Sequence, residues 1–391
     1  MPVNFQQVQQ RVRQIGQQAP AVQKQLAARR ARALQLLHQF AADPEPLADL
    51  FERANHINSS LRCAKLYRES LTHRGPLPVL DTPIVLLAAD GSQINPDRHA
   101  AVEFGVINTG AIRIVPGSAE PPLEIIETKM LYGDELQTAS GPVTEEIVAM
   151  RRDRDERTLL ADLAFHETLP VVTLTDGQLE LFREPQLAGE FSKLFDEYQE
   201  ALRELATMSA VTAGYVDKPR ADLVVRLLEL ADLGEGQFEQ AGHQHPLTGV
   251  NDVMLFHDLL QPGERSAVFG IQSRSAASFG GELALHFFFL NVGRPGHPWL
   301  ARVEIPLWVA QSDVLLNRLQ AILSEQCRQL GSKPYPYALH RAHEVAVVRF
   351  EEKDQLEAML INELRKVGVD VGETSNKQYT KDISGIRTRY S

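Results

Sequence analysis

Two aspartates stand out because of the residues around them. Asp90 follows the apolar run Pro83-Ile84-Val85-Leu86-Leu87-Ala88 and precedes Gly91-Ser92, while Asp176 follows Val171–Thr175 and precedes Gly177. Each run reads as a strand buried on both faces. Each carboxylate is therefore expected at the carboxyl end of a strand, where ligands bind in α/β sheets, beside a glycine that lets a substrate approach closely. If the two strands are neighbours, their like charges repel unless a cation shares them, and a divalent metal is the economical choice. Asp-Gly is also a common turn dipeptide, so the chemistry depends on adjacency.

A third carboxylate lies between them. A helix is expected from about Thr144 to Glu167, with Thr144 as N-cap and Glu145 and Glu146 in the first turn. Glu156 shares a face with Leu160 and Leu163, so it points toward the side that packs on the sheet and needs a partner there. That partner is either a shared metal or simply Arg152; Asp153 lies nearly on the same face and competes for the ligand role. Farther on, Tyr335-Pro336-Tyr337-Ala338-Leu339-His340-Arg341-Ala342-His343-Glu344 places two histidines one turn apart. Leu339, Ala342, His343 and Ala346 form one stripe, which turns His343 inward and leaves His340 at the flank. An inward histidine is either a hydrogen-bonded core residue or a group that ligates metal or carries a proton to a leaving alkoxide. Lys218 and Arg220, in Gly214-Tyr215-Val216-Asp217-Lys218-Pro219-Arg220, follow a strand and suit a phosphate, or are two solvated loop cations.

The elements that must hold these groups follow from periodicity and breakers. Residues 1–75 read as a helical N-terminal region: one stretch through Phe5, Val8, Val12 and Ile15, a second through Leu26–Leu37, a break at Asp43-Pro44-Glu45-Pro46, and a third from Leu47 to Leu71. This arm serves as an exposed helix or dimer seam, or offers its arginines to DNA. Gly75-Pro76-Leu77-Pro78 opens the second region, 76–391. There Val102–Asn108 and Ala111–Val115 flank a hairpin turn at Thr109-Gly110. Further strands are expected at Ala210–Val216, Leu283–Leu290 and Ala301–Val309. Helices are expected at Gln186–Met208, Ala221–Leu233, Ser312–Leu330, Pro336–Val348 and Lys353–Val367. Strand, hairpin, helix and strand in that order make a mixed α/β sheet whose core strands run parallel.

Composition narrows the class. The 391 residues are 43% apolar and 23% charged, which excludes disordered and collagen-like chains. The net charge of −11 argues against a general nucleic-acid coat, although residues 1–75 carry eleven basic against five acidic side chains. The only cysteines, Cys63 and Cys327, are far apart, which suits a reducing cytoplasm. The polar start has no signal core, and the longest apolar stretch, near Leu283–Leu290, is too short for a membrane span. His243-Gln244-His245-Pro246 lacks further nearby ligands. No Gly-Lys pair exists for a Walker site, so any translocation on DNA requires a separate motor. No G-x-S-x-G elbow exists either.

Four segments, in order, resemble the motifs of the NurA nuclease family: Ala89-Asp90-Gly91-Ser92-Gln93; Leu174-Thr175-Asp176-Gly177-Gln178-Leu179; Ala301-Arg302-Val303-Glu304-Ile305-Pro306; and Tyr335 through His343. The resemblance covers roughly residues 80–350. It implies a ribonuclease-H-like mixed sheet core flanked by helices, and a metal-dependent deoxyribonuclease using Mn²⁺ or Mg²⁺, two ions per site. The implied activities are single-strand endonuclease and 5′–3′ exonuclease on single- and double-stranded DNA, in double-strand-break end resection. The implied partners are DNA, a second copy of the chain and a HerA-type hexameric ATPase. Carried over, Asp90, Glu156 and Asp176 are the acidic metal ligands, His343 a further metal or acid–base residue, and Tyr335 its neighbour. In this chain Gln178 follows the second Asp-Gly, where the family usually has a small hydroxyl residue. A non-catalytic adaptor of a DNA-translocating ATPase, or an enzyme cutting the RNA strand of hybrids, would use the same fold differently.

Overall fold

The computed structural model describes residues 3–369 and 371, apart from 81, 140 and 182–187. In chain order the elements begin with α1 (Phe5–Ala42), α2 (Glu45–Ile57) and β1 (Cys63–Lys65), followed by β2 (Val85–Ile94), β3 (Gly105–Ile114) and β4 (Leu123–Leu131). The two-residue pair β5 (Gln137–Thr138) and β6 (Gly141–Pro142) leads to α3 (Glu145–Phe165), β7 (Val171–Asp176), α4 (Ala188–Thr207) and β8 (Val211–Val216). Next come α5 (Leu223–Glu229), α6 (Asp252–Phe256), β9 (Phe269–Gln272), β10 (Leu285–Asn291) and β11 (Leu300–Pro306). The chain closes with α7 (Leu307–Ala310), α8 (Asp313–Gln329), α9 (Tyr337–Ala346) and α10 (Phe350–Lys366).

These elements form two compact units whose limits differ from a boundary at residue 75. The first comprises residues 1–80, 177–181 and 213–335, and the second comprises 81–176, 182–212 and 336–391. In the first unit β1, β9, β10, β11 and the end of β8 pair antiparallel in that order. Their apolar faces join Ala33, Leu36, Leu37 and Phe40 of α1 in one core with α2, α5 and α6. The N-terminal helices are thus part of this unit's core. α1 is one continuous helix rather than two, because Asn4 caps it and nothing before Asp43 stops it; Pro20 is accommodated inside. The third expected helix ends early, at Ile57, and the chain turns into β1.

The second unit carries the arrangement anticipated for a ribonuclease-H-like core. β2, β3 and β4 form an antiparallel meander, and after α3 the strand β7 returns parallel to β2 with Val85 opposite Val171 and Ala89 opposite Thr175. Counted from β2, the strand order is 3-2-1-4. Two expectations fail here. β2 does not stop at Asp90 but runs on to Ile94, and Thr109-Gly110 is not a hairpin turn but the middle of β3.

Packing explains both glycines. A Cβ on Gly110 would lie 2.6 Å from the Ala346 backbone nitrogen, and one on Gly91 would lie 2.5 Å from Arg152 Cγ and 2.7 Å from Glu156 Oε1. Gly110 pairs with Asp90 and so faces the same way as Asp90, whereas Gly91 faces the other way. α9 and α3 therefore press on opposite faces of one strand pair. The dipeptide signals close approach of helices, not a turn. Alanine at Gly110 has a rigid backbone atom in its way. Gly110→Ala should therefore lose about 1–3 kcal/mol of stability in chemical denaturation, the usual range for overpacking; an unchanged midpoint would show that α9 does not seat there.

Candidate active site

The β2–β7 register sets the centre of the site. Asp90 and Asp176 each follow the last paired residues, Ala89 and Thr175, so the two aspartates occupy equivalent positions on neighbouring parallel strands and face the same side. β7 ends there while β2 continues, leaving an open strand edge beside Gly91. The sequence expectation that the two strands are neighbours holds.

Two helices bring further groups to this edge. From α9, His343 Nδ1 lies 2.6 Å from Asp90 Oδ2, and the other Asp90 oxygen accepts the Gly91 N–H at 2.9 Å. His343 does not face inward as its stripe suggested: Leu339, Ala342 and Ala346 are buried, whereas the His343 side chain is 61% exposed. It is a surface imidazole turned onto a carboxylate. α9 itself is fastened at its end, where the Ala346 carbonyl accepts from Ser92 Oγ and Asn108 Nδ2 at 2.6 and 2.7 Å. His340 is spent on Glu344 at 3.7 Å.

From α3, on the opposite face, Glu156 is buried over Gly91. Thr144 caps the helix as expected, accepting from the Ile147 N–H. Burial pushes the Glu156 carboxyl well above the usual range, and the nearby charges of Asp153 and Asp90 push the same way; Arg152 and Arg157 oppose them. Arg152 serves three acids at once. It donates to Asp153 at 2.7 Å and lies 3.5 Å from Glu156, and although burial disfavours its charge, the charges of Asp153, Glu156 and Asp90 keep it firmly protonated. Of its two expected partners, Glu156 thus has Arg152, and it lies close enough to Asp90 and Asp153 to feel their charge. Arg157, one residue on, is buried and donates to Thr175 at 2.6 Å, which ties α3 to the end of β7.

The remaining candidates lie in the first unit. Tyr335 packs edge-on against Tyr215, ring centroids 5.7 Å apart. Lys218 adopts φ +52°, in the left-handed region, and its ammonium sits 5.2 Å from the Trp299 ring centroid; Arg220 is exposed. The cysteines are buried thiols rather than nucleophiles: burial pushes Cys327 up to about 12 and Cys63 higher still.

Sequence reasoning missed one set of residues in this unit. Glu304, fully buried on β11, accepts the backbone N–H groups of Leu179 and Glu180 at 2.8 and 3.2 Å and pairs with Arg302. Glu180, also buried, is held by Arg62 at 2.8 Å and by Ser275 at 2.6 Å. The chain leaving Asp176 is therefore anchored by two carboxylates. The signal was the Arg-x-Glu alternation within a strand otherwise made of buried residues.

The donors suit a divalent cation in kind. Asp90, Glu156 and Asp153 are hard oxygen ligands with an imidazole beside them, and a buried carboxyl pushed upward by two others is a group short of positive charge. Among the described residues, however, no three His, Cys, Asp or Glu side chains converge into a finished coordination set. Arg152 carries compensating charge.

The sequence as a whole matches one family model, the NurA domain, over residues 84–348. The chain belongs to the NurA family. It is accordingly a nuclease, a hydrolase. No curated protein matches the chain. Among solved structures it is similar to the catalytic domain of human Endonuclease V, at 15% identity and TM-score 0.31, over 81% of this chain and 98% of that one. It is also similar to LC9-RNase H1, a type 1 RNase H with the type 2 active-site motif, at 16% identity and TM-score 0.22, over 45% of this chain and 81% of that one. The fold assignment rests on the strand order, not on these likenesses.

The Glu156 environment has a measurable consequence. The folded protein holds the Glu156 proton more tightly than the unfolded chain does, so this group's contribution to stability falls as pH rises from the ordinary carboxylate range toward the raised value. Glu156→Gln should melt at a higher temperature than the parent at pH 8, with the difference closing as pH falls toward 4. Equal melting temperatures at pH 8 would refute the crowded-carboxylate description.

Proposed function

We propose that this NurA-family nuclease is a metal-dependent deoxyribonuclease whose reaction centre is the end of the β2–β7 pair. The observation that carries the reading is the register placing Asp90 and Asp176 side by side where β7 stops, with Glu156 and His343 brought to the same edge from opposite faces. Asp90, Asp176 and Glu156 would hold Mn²⁺ or Mg²⁺, with Asp153 the competing helix ligand and His343 a further one. Two such ions, when bound, supply the charge that activates water and steadies the leaving oxygen.

The chain's own contribution is positioning and proton transfer. Asp90 orients the His343 ring through Nδ1, which leaves Nε2 to exchange a proton with the departing alkoxide. Arg152, which donates to Asp153 and lies 3.5 Å from Glu156, offsets part of the negative charge on the α3 side. The strand would be admitted along the β2 edge that β7 leaves unpaired beyond Ala89. Lys218 and Arg220 would bind DNA phosphates, and Tyr335 would be the neighbour of His343 that the family resemblance implies; the finer activities follow the family: single-strand endonuclease and 5′–3′ exonuclease action in end resection beside a HerA-type hexameric ATPase.

A homodimer is part of the same reading. The first half of α1 carries Phe5, Val8, Val12 and Ile15 on one stripe, all exposed, whereas its second half is buried in the core. An apolar stripe of this kind on a long helix suits a second copy of itself. No described helix is long and apolar enough to cross a membrane.

Two measurements test the proposal. On end-labelled DNA with Mn²⁺ or Mg²⁺, Asp90→Asn and Asp176→Asn should each lose about a hundredfold or more in rate, and His343→Ala about 10²–10⁴-fold, all with unchanged circular dichroism. Full activity in either aspartate variant would overturn the site, and absence of cleavage with every metal would favour the adaptor role. In sedimentation, Val8→Glu with Val12→Glu should convert a dimer to a monomer; an unchanged mass would place the seam elsewhere.

A further inference from the structure

The first unit contains a cavity of about 560 Å³ that the reaction centre does not use. Its walls come from the loop after β10, the residue following α6 and the end of α8. Its lining carries four basic residues, His257, Arg294, His297 and Arg328, with Ser332 and Trp299 beside them. No carboxylate is among the lining residues, in a chain whose net charge is −11. The nearest acids are already engaged. Asp258 binds His257 at 2.7 Å and Arg30 at 2.6 Å, and Asp217 accepts the Trp299 indole N–H at 2.8 Å. Arg294 and Arg328 make no ion pair among the described residues.

The loop is built to present these groups. Buried Asn291 accepts the N–H groups of both Gly293 and Trp299, at 3.0 and 3.1 Å, which pins the two ends of the loop together. A Cβ on Gly293 would lie 2.3 Å from the His297 carbonyl oxygen, so only glycine permits so tight a return. Arg294 and His297 then bridge across the tip. Opposite the loop, Asp217 fixes the indole, and Lys218 covers it from a left-handed backbone conformation that a non-glycine residue adopts only at a cost. This is the Gly214–Arg220 segment whose cations suited a phosphate in the sequence; the structure joins it to an aromatic ring.

Unpaired guanidinium groups select phosphate oxygens, and a fixed indole flanked by cations selects a flat base. The volume suits a ligand of nucleotide size. We propose that this cavity binds one nucleotide of a single DNA strand, with its phosphate taken by Arg294 and Arg328 and its base by Trp299. The proposal rests on the nuclease reading only for the source of the nucleotide, a strand rather than a free monophosphate.

The test uses the full chain in EDTA, so that binding is read without cleavage. A fluorescein-labelled dT12 strand is titrated by anisotropy across a salt series, with thymidine monophosphate and inorganic phosphate as competitors. Arg294→Ala with Arg328→Ala should weaken binding about tenfold or more and lower the slope of log K against log salt by about 1.4, two phosphate contacts at roughly 0.7 each on a single strand. Trp299→Leu should weaken binding about tenfold with the salt slope unchanged. Thymidine monophosphate should compete at far lower concentration than inorganic phosphate. Wild-type affinity and slope in the double arginine variant would overturn the proposal, as would equal competition by phosphate and thymidine monophosphate. Should the alanine variant misfold, Arg294→Gln with Arg328→Gln gives the same reading. None of these outcomes bears on the cleavage assays with Asp90 and Asp176, so this proposal and the assigned reaction centre fail separately.

Discussion

Crowded negative charge at the end of a parallel strand pair is the constraint on which the second unit depends. Asp90 and Asp176 share a register position, and Glu156 and Asp153 approach from α3. Holding such groups together opposes folding unless positive charge accompanies them. Arg152 supplies part of it, yet burial, with the charges of Asp153 and Asp90 behind it, drives the Glu156 carboxyl upward. The backbone is adapted to the same end. Gly91 and Gly110 remove side chains where α3 and α9 press on the strands, so the helices can deliver a carboxylate and an imidazole to one strand edge. Stability is given up locally to keep those groups in reach of one another.

The first unit solves a related problem by saturation rather than by crowding. Its buried carboxylates, Glu304 and Glu180, are matched to backbone N–H groups, hydroxyls and arginines nearly one for one. Accordingly Glu180 is held below the usual carboxylate range despite its burial, because Arg62 and the hydroxyls of Ser273 and Ser275 outweigh the loss of water. Glu156 and Glu180 are both buried glutamates, yet their shifts have opposite signs. The difference is the supply of donors, ample around Glu180 and scarce around Glu156.

Much of the second unit was legible because its signals were local. Buried strand runs, the Thr144 cap and the parallel return of β7 follow from composition and order alone. The strand end expected at Asp90-Gly91 and the turn expected at Thr109-Gly110 both proved to be strand interior. A glycine that admits a helix looks the same in sequence as one that makes a turn, and only the partner, Arg152 or Ala346, distinguishes them. His343 was misplaced for a related reason: a helical stripe predicts direction from neighbours on the same helix, whereas its ring is drawn outward by Asp90, 253 residues away. At Glu304 the Arg-x-Glu alternation marks the buried carboxylate but not what it anchors, because the anchored groups are backbone N–H groups far along the chain.

The distribution of arginines shows how an acidic protein can still meet a polyanion. The basic excess in the first 75 residues suggested a DNA-facing arm, yet much of it is spent internally: Arg29 on the Thr248 carbonyl, Arg30 on Asp258, Arg32 on Asp232, and Arg62 on Glu180. A guanidinium already bound to a carboxylate has little attraction left for phosphate. Counting positive residues therefore misleads, and what matters is which cations lack an acid. By that measure α1 is a packing element, and cations without an acid among the described residues lie instead in short loops such as the one carrying Arg294, held by buried polar side chains. Long-range attraction is weak for a chain of net charge −11, so phosphate recognition requires a few cations kept in fixed places.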